Sequence, residues 1–530
     1  MAEQTDKPYG LQTPEGPWDY LVIGSGMGGM SAAALLAKLG RRVLILEQHY
    51  VPGGYTHTFQ RKGWTWDVGV HAVGEVGEGS ATGRLLKFLT DGQLEWASLG
   101  QAYDEFYYPD GVRVDFPDSQ AQFVANLKAV FPDEAADIDR YMARVRAAAK
   151  TMKGFYAARA LPSWLAGIAQ RFMAPKANDL ISTRTADVLA DVTANPRLRT
   201  VLAGQWGYYG VTPSRSCFGI HALVTRHYFH GGFYPVGGSA RIADSLLRAV
   251  AAAGGWTRVK ADVERIIIER GRACGVQLRS GETIRAKRVI SAAGALNTVR
   301  HLLPKATMAD RWASSLDQLT PSPAYLCLNL GFHGDIRTAG ASSANKWFYE
   351  TWDGEAHAWD VQDPHSEAPV LYTSFPSLKD PLHEPGPEQR HTGEVVTFVP
   401  YDAFARWQDE RWMHRGPDYE AFKADITARM LRQLYRHMPE LEPMVAYAEL
   451  STPLSAEHFV KAPRGAIYGL EPTPERFANP WLRPQTPVRD LYLTGSDVAS
   501  GGVMGAFAGA VLSVIAAEPL DALSLLRRHF

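Results

Sequence analysis

The segment DYLVIGSGMGGMSAAALLAKLGRRVLILEQ (residues 19–48) commits the start of this chain to one topology. Two short apolar runs rich in Val, Ile and Leu flank a tight turn and a longer stretch of small and apolar residues, which reads as strand, turn, helix, strand. The turn holds G-x-G-x-x-G at Gly24, Gly26 and Gly29. Gly24 permits the sharp turn, Gly26 lets a pyrophosphate approach the backbone, and Gly29 lets the helix pack against the strand. A diphosphate then meets the free N–H groups and positive dipole end of the helix. Glu47 closes the second strand about 20 residues further on, where a carboxylate accepts from ribose hydroxyls. The unit is an α/β dinucleotide fold, and by itself it does not separate NAD from FAD.

At 530 residues the chain exceeds what one hydrophobic core supports, so a second domain is expected. Apolar residues make up 46% and charged residues 21%, the composition of a soluble globular protein. A formal charge of −1 gives no basis for a nucleic-acid partner. Cys217, Cys274 and Cys327 are far apart and odd in number, which fits a reducing compartment and no metal site, hence a cytoplasmic setting. The polar N-terminus lacks a signal-peptide pattern. The low-charge run 498–517 has the length of a membrane span but follows a strand and is rich in glycine, so a buried helix is expected. H-E-x-x-H, G-x-S-x-G and P-loop patterns are absent, which removes support for zinc-protease, serine-hydrolase and P-loop readings.

The stretch VPGGYTHTFQRKGWTWDVGVHAVG (51–74) follows the ribose acid with a glycine doublet, Gly53 and Gly54, and then the run from Trp66 to His71. Here the sequence resembles the FAD-dependent phytoene desaturase, carotenoid isomerase and retinol saturase family, in which a P-G-G segment runs along the flavin and an F-D-x-G-x-H-like stretch follows. The segment FGIHALVTRHYFHGGFYPVGGSARIADSL (218–246) is similar to the retinol saturase branch of that family. Residues 257–294 read as four short strands with turns at Arg270-Gly271 and Ser280-Gly281, which resemble that family's β-meander and return strand; the resemblance implies FAD as cofactor, with the Val263 backbone against the adenine. It also implies that the chain returns at LYLTGSDVASGG (491–502) to complete the flavin site. Gly495 and Asp497 would lie by the ribityl chain or diphosphate. Gly502 and Val503 would open a helix whose dipole favours the electron-rich reduced ring.

The implied architecture is a Rossmann-type FAD-binding domain, a parallel sheet plus β-meander, assembled from 18–80, 235–300 and 488–530. A mixed α+β substrate domain from 81–234 and 301–487 is interleaved with it. Family position puts His71, His221, His227 and Tyr228 near the flavin as acid–base candidates, with Tyr208 and Tyr209 as wall residues. Between Tyr141 and Asn178 stand seven basic residues and no acid, interleaved with Met152, Phe155, Tyr156, Trp164, Ile168, Phe172 and others. That composition marks a candidate membrane-docking or lid segment and a peripheral membrane contact.

The expected activity is FAD-dependent desaturation, saturation or isomerisation of a carbon–carbon bond in a long apolar lipid. A fatty-acyl chain is slightly preferred over a carotenoid or retinoid because the basic segment suits an anionic head group. Only one strand–glycine turn–helix–acid unit is present, so electrons are expected to pass to or from oxygen, a quinone or an external reductant. Two alternatives share the signatures: an amine oxidase-like flavoenzyme for a small substrate, and a non-catalytic flavin- or lipid-binding protein.

Overall fold

The computed structural model of the protein describes residues 7–161 and 163–529; residues 1–6 of the polar N-terminus, Pro162, Phe530 and the side chains of Ser163 and Trp164 lie outside that set. Strands Tyr20–Ile23, Val43–Leu46, Trp256–Arg258, Arg288–Ser291 and Leu491–Leu493 form a five-stranded parallel sheet. Its spatial order is 491–493, 288–291, 20–23, 43–46, 256–258, so the first strand of the chain sits at the centre. Tyr20 pairs with both Val43 and Arg288, and Ile290 pairs with Tyr492. The strands YLVI and VLIL are buried at every residue. Continuous apolar runs of this kind are what a parallel sheet covered on both faces requires.

One face carries helices Met27–Lys38, Ala240–Ala252 and Gly502–Ala517, whose Leu36, Leu246 and Val514 share a core with Ile45. The other face carries a three-stranded antiparallel meander, Val263–Glu269, Arg272–Leu278 and Thr283–Arg285. Its two turns fall at Arg270–Gly271 and around Gly281, all with positive φ. The stretch 257–294 holds one strand more than four because Trp256–Arg258 joins the parallel sheet beside Val43–Leu46. The run 498–517 is a helix from Gly502 packed on the first helix of the fold. Among the described residues no helix is long and apolar enough to cross a membrane.

A second, seven-stranded sheet takes its strands from 102–117 and 324–451. Strands Ala324–Phe332 and His391–Val399 lie inside it and are buried along their whole length. Alternate residues face opposite ways. Leu326, Leu328 and Leu330 meet helix Gly416–His437 through Ile426, Met430 and Leu434. Tyr325, Trp347, Tyr372 and Phe398 face a layer of helices that includes Ala135–Ala160 and Phe218–His227. That second face is the aromatic one, and it looks towards the parallel sheet's ligand-binding end through a shared cavity.

The basic segment divides into two parts. Helix Ala135–Ala160 buries Tyr141, Met142, Val145, Ala149, Met152 and Phe155, and Arg159 is spent inside on the carbonyls of Phe477, Asn479 and Leu482. Helix Ser163–Met173 instead leaves Ile168 and Met173 about half exposed and Phe172 82% exposed, beside exposed Arg171. The cysteines Cys217, Cys274 and Cys327 are all free.

Candidate active site

A single cavity of about 910 Å³ begins at the glycine turn and ends at the aromatic face. Gly24, Gly26, Glu47, Gly54, Val263, Gly495, Asp497, Gly502 and Val503 all line it, although they come from both ends and the middle of the chain. Gly29 and Gly53 do not. A Cβ on Gly29 would stand 2.1 Å from the Gly24 carbonyl oxygen, so this glycine serves helix-to-strand packing. Gly53, at φ 125°, donates its N–H to Ser25 and sets the bend that brings Gly54 to the wall.

The walls are shaped for an anionic ligand. Helices Met27–Lys38 and Gly502–Ala517 start at the cavity with no side-chain cap and no acid in the first turn. Uncapped N–H groups at a helix start are left to water or a ligand, and the dipole favours an anion there. A Cβ on Gly26, Gly495 or Gly502 would meet no protein atom within 4 Å, so the space in front of these backbones is open for a ligand. Glu47 is oriented, with one carboxylate oxygen accepting from the Ser25 N–H (2.9 Å) and hydroxyl (2.6 Å) and the other from the His49 N–H (2.8 Å). Asp497 differs from expectation. Its two oxygens accept from the backbone N–H groups of Ala295 (2.7 Å) and Leu470 (2.9 Å), so it ties three segments together at the cavity wall. These features fit a dinucleotide bound along the cavity, its phosphates at the first helix and its other half at the second.

Of the four acid–base candidates only His71 reaches the cavity. His221 is sealed away from it, with ring nitrogens 2.7 Å from the Tyr141 hydroxyl and 3.1 Å from that of Tyr209. Burial pushes its pKa down to about 3. His227 accepts the Gly74 N–H at Nε2 (2.8 Å) and pins that loop. Tyr228 donates to the Ala72 carbonyl (3.2 Å), stacks on Tyr103 and meets the tilted ring of Tyr208, so it backs a wall residue without being one. Tyr208 lines the cavity and Tyr209 does not.

Behind His71 lies a buried polar network that the sequence reading missed. The Lys379 ammonium donates to the His71 carbonyl (2.7 Å), the Ser374 hydroxyl (2.6 Å) and the Asn345 side-chain oxygen. Asn345 in turn donates to Asp104 (2.8 Å), which also accepts from Tyr208 (2.8 Å). Glu394, wholly buried in the strand facing His71, has Oε2 2.8 Å from His71 Nδ1. Burial moves each group towards its neutral form. His71 falls to about 3 and Lys379 to about 8; Glu394 rises to about 8 and Asp104 to about 7. Lys379 opposes the rise at Glu394. A lone acid inside the β-branched run HTGEVVTFV is the signal that could have found it. Beyond the network, Tyr55, Tyr325, Trp347, Tyr372, Phe398 and Tyr468 complete an aromatic chamber.

A dinucleotide gripped at both ends by one chain, with a second helix aimed at its far half, is the arrangement of FAD-dependent oxidoreductases. The chain belongs to the flavin containing amine oxidoreductase family, whose profile matches residues 27–517. It is 35% identical to human all-trans-retinol 13,14-reductase, over 94% of this chain and 85% of that protein. A zebrafish protein described as an inactive all-trans-retinol 13,14-reductase is 30% identical, over 93% and 84%. The chloroplastic prolycopene isomerase of Arabidopsis thaliana is 26% identical, over 93% and 82%. Among solved structures, putrescine oxidase bound to putrescine superimposes with TM-score 0.61 at 18% identity, covering 96% of this chain and all of that one. Cyclohexylamine oxidase from Brevibacterium oxydans gives 0.58 at 16%, covering 97% and 99%. Those last two likenesses establish the fold.

Proposed function

We propose that this protein is an FAD-dependent reductase of one carbon–carbon double bond in a long polyene of the retinoid or carotenoid type. The observation that carries the reading is the junction, in one cavity, of the dinucleotide walls with a chamber of flat aromatic rings. A conjugated chain is planar and apolar, so it gains from burial and from ring contacts while asking for few hydrogen bonds. The names of the relatives, a retinol reductase and a prolycopene isomerase, are both those of enzymes for polyenes. No relative reported above supports a fatty-acyl chain, and the polyene replaces it as the substrate class.

In this reading the Gly24–Gly26 turn and the first helix hold the diphosphate, Glu47 holds a ribose, and the Val263 backbone meets the adenine. Gly502 and Val503 present N–H groups to the pyrimidine edge, while Gly495 and Asp497 shape the ribityl segment. Bound FAD supplies hydride transfer. His71 supplies the wall group through which a proton is exchanged. Electrons come from an external donor. NADH and NADPH are expected to reduce the bound flavin slowly, which anaerobic mixing checks. The exposed Ile168–Phe172 face with Arg171 is the surface through which the protein reaches a lipid bilayer.

Product analysis tests the reading. The FAD-loaded protein is incubated with retinol, a carotenoid, unsaturated fatty acids, phospholipids and small amines, under reducing and oxidising conditions. Saturation of a polyene bond under reducing conditions is expected. Turnover of acyl lipids alone, or of an amine alone, contradicts it.

A further inference from the structure

We propose that Glu394 and His71 share one proton and that His71, the catalytic residue, donates it to the polyene carbon that does not receive the hydride, with Glu394 acting through it. The proposal rests on the polyene-reductase reading above. Glu394 is fully buried, and beyond the Asp67 backbone N–H that faces it neither of its oxygens has a well-aligned donor, yet Oε2 lies 2.8 Å from His71 Nδ1. An unpaired carboxylate in such a place is costly, whereas a carboxylic acid beside a neutral imidazole is not. The His71 side chain keeps 15% of its surface and lines the cavity, with Nδ1 buried against Glu394.

Other charged or titratable groups stand around the pair, among them buried Cys327 of the neighbouring strand Ala324–Phe332. Lys379 holds the His71 carbonyl. Asp67, four residues before His71, is engaged by Tyr234 (2.5 Å) and Ser239. The Tyr372 ring stands 5.3 Å from the imidazole. Asp104 is reached through Asn345.

The step balances as follows. Saturation of C=C takes a hydride on one carbon and a proton on the other, and the hydride's electron pair comes from the reduced flavin. The proton leaves His71 Nε2 as the C–H bond forms, and the Glu394 carboxyl proton passes to Nδ1. His71 ends neutral in the opposite tautomer, and Glu394 ends as a carboxylate facing the positive field of Lys379. A proton taken up at Nε2 from the cavity, with the Nδ1 proton returning to Glu394, resets the pair. The acid form is the competent one, and the buried carboxyl sits at about 8, so saturation proceeds below that pH and is lost above it.

Two measurements on the FAD-loaded full chain test this. An infrared pH titration without substrate is expected to show a carboxylic-acid C=O band that disappears as pH rises through about 8 and is missing from Glu394→Gln. Single-turnover saturation of all-trans-retinol by reduced protein is expected to fall tenfold per pH unit above that point in the wild type. In Glu394→Gln it is expected to be about 100-fold slower below it and without that limb. His71→Asn, which spares Glu394, should keep an acid band yet lose the rate to a similar extent, with FAD content unchanged. Absence of the band from wild type, or a Glu394→Gln rate within threefold of wild type with the same pH limb, overturns the pair. Wild type that saturates no polyene while showing the titrating band overturns the substrate reading instead.

Discussion

Gly28 in the first helix and Gly495 after the last strand are packed backbone to backbone: a Cβ on Gly28 would stand 2.5 Å from the Gly495 Cα. A Cβ on Gly509 would likewise stand 2.1 Å from the Gly495 carbonyl oxygen, so the closing helix is pressed against the same turn. This contact brings the two ends of the chain together. It sets the N-termini of Met27–Lys38 and Gly502–Ala517 on one cavity, and it explains why a second glycine-rich turn closes a chain that began with one.

Two glycines of the same motif should therefore fail differently. Gly26→Ala places its methyl in open cavity, so the apoprotein should lose no more than about 1 kcal/mol, the scale of an N-cap change. FAD should be displaced, because the methyl occupies the phosphate approach. Gly29→Ala drives a methyl into the Gly24 carbonyl and should destabilise apoprotein and holoprotein alike by about 1–3 kcal/mol or more. Urea unfolding of the apoproteins, with flavin absorbance of the loaded proteins, separates the two. Gly26→Ala that binds FAD as tightly as wild type contradicts the assignment.

The cofactor half of this site was legible because its signals are local. G-x-G-x-x-G, Glu47, the P-G-G bend and the L-Y-x-x-G-x-D return each carry their chemistry within a few residues, and sequence order alone puts them on one sheet. The acid–base half was not. His221 has the right side chain for proton transfer, but Tyr141 and Tyr209, from other elements, enclose it. Lys379, Glu394, Asn345 and Asp104 meet only because four strands or turns of the second sheet lie side by side. The basic segment was half legible. Ile138, Tyr141, Val145, Ala148, Met152 and Phe155 recur at helical spacing, the mark of a packed face, whereas Ile168 and Phe172, four residues apart in the next helix, stand exposed.

That surface gives a test independent of catalysis. Ile168→Asp with Phe172→Asp replaces two exposed side chains and should change stability by no more than about 0.5 kcal/mol per site. Co-sedimentation with anionic phosphatidylserine vesicles should drop at least tenfold, and binding of the wild type should weaken as salt rises. Unchanged sedimentation of the double variant removes the docking role.

The buried carboxyl also leaves a mark on stability. Glu394 sits at about 8 in the fold against 4.5 for an ordinary glutamate. Between those values the folded chain holds a proton the unfolded chain lacks, so the wild type loses stability as pH rises through that window. The slope is up to about 1.4 kcal/mol per unit for one proton. Glu394→Gln cannot titrate there. Its stability relative to wild type should therefore climb from pH 5 to 8 and then level off, as measured by urea midpoints. A difference that stays constant over the range means that Glu394 is ionised throughout.

The most direct test of the account follows the flavin itself. Protein reduced chemically under anaerobic conditions is mixed with all-trans-retinol or a carotenoid in heavy water, and flavin and polyene absorbance are recorded together. The account predicts that oxidised flavin returns one for one with loss of a polyene double bond, and that the product carries solvent-derived deuterium at the saturated bond. Flavin that stays reduced in the presence of every polyene, while oxidised protein is bleached by a small amine, would contradict it.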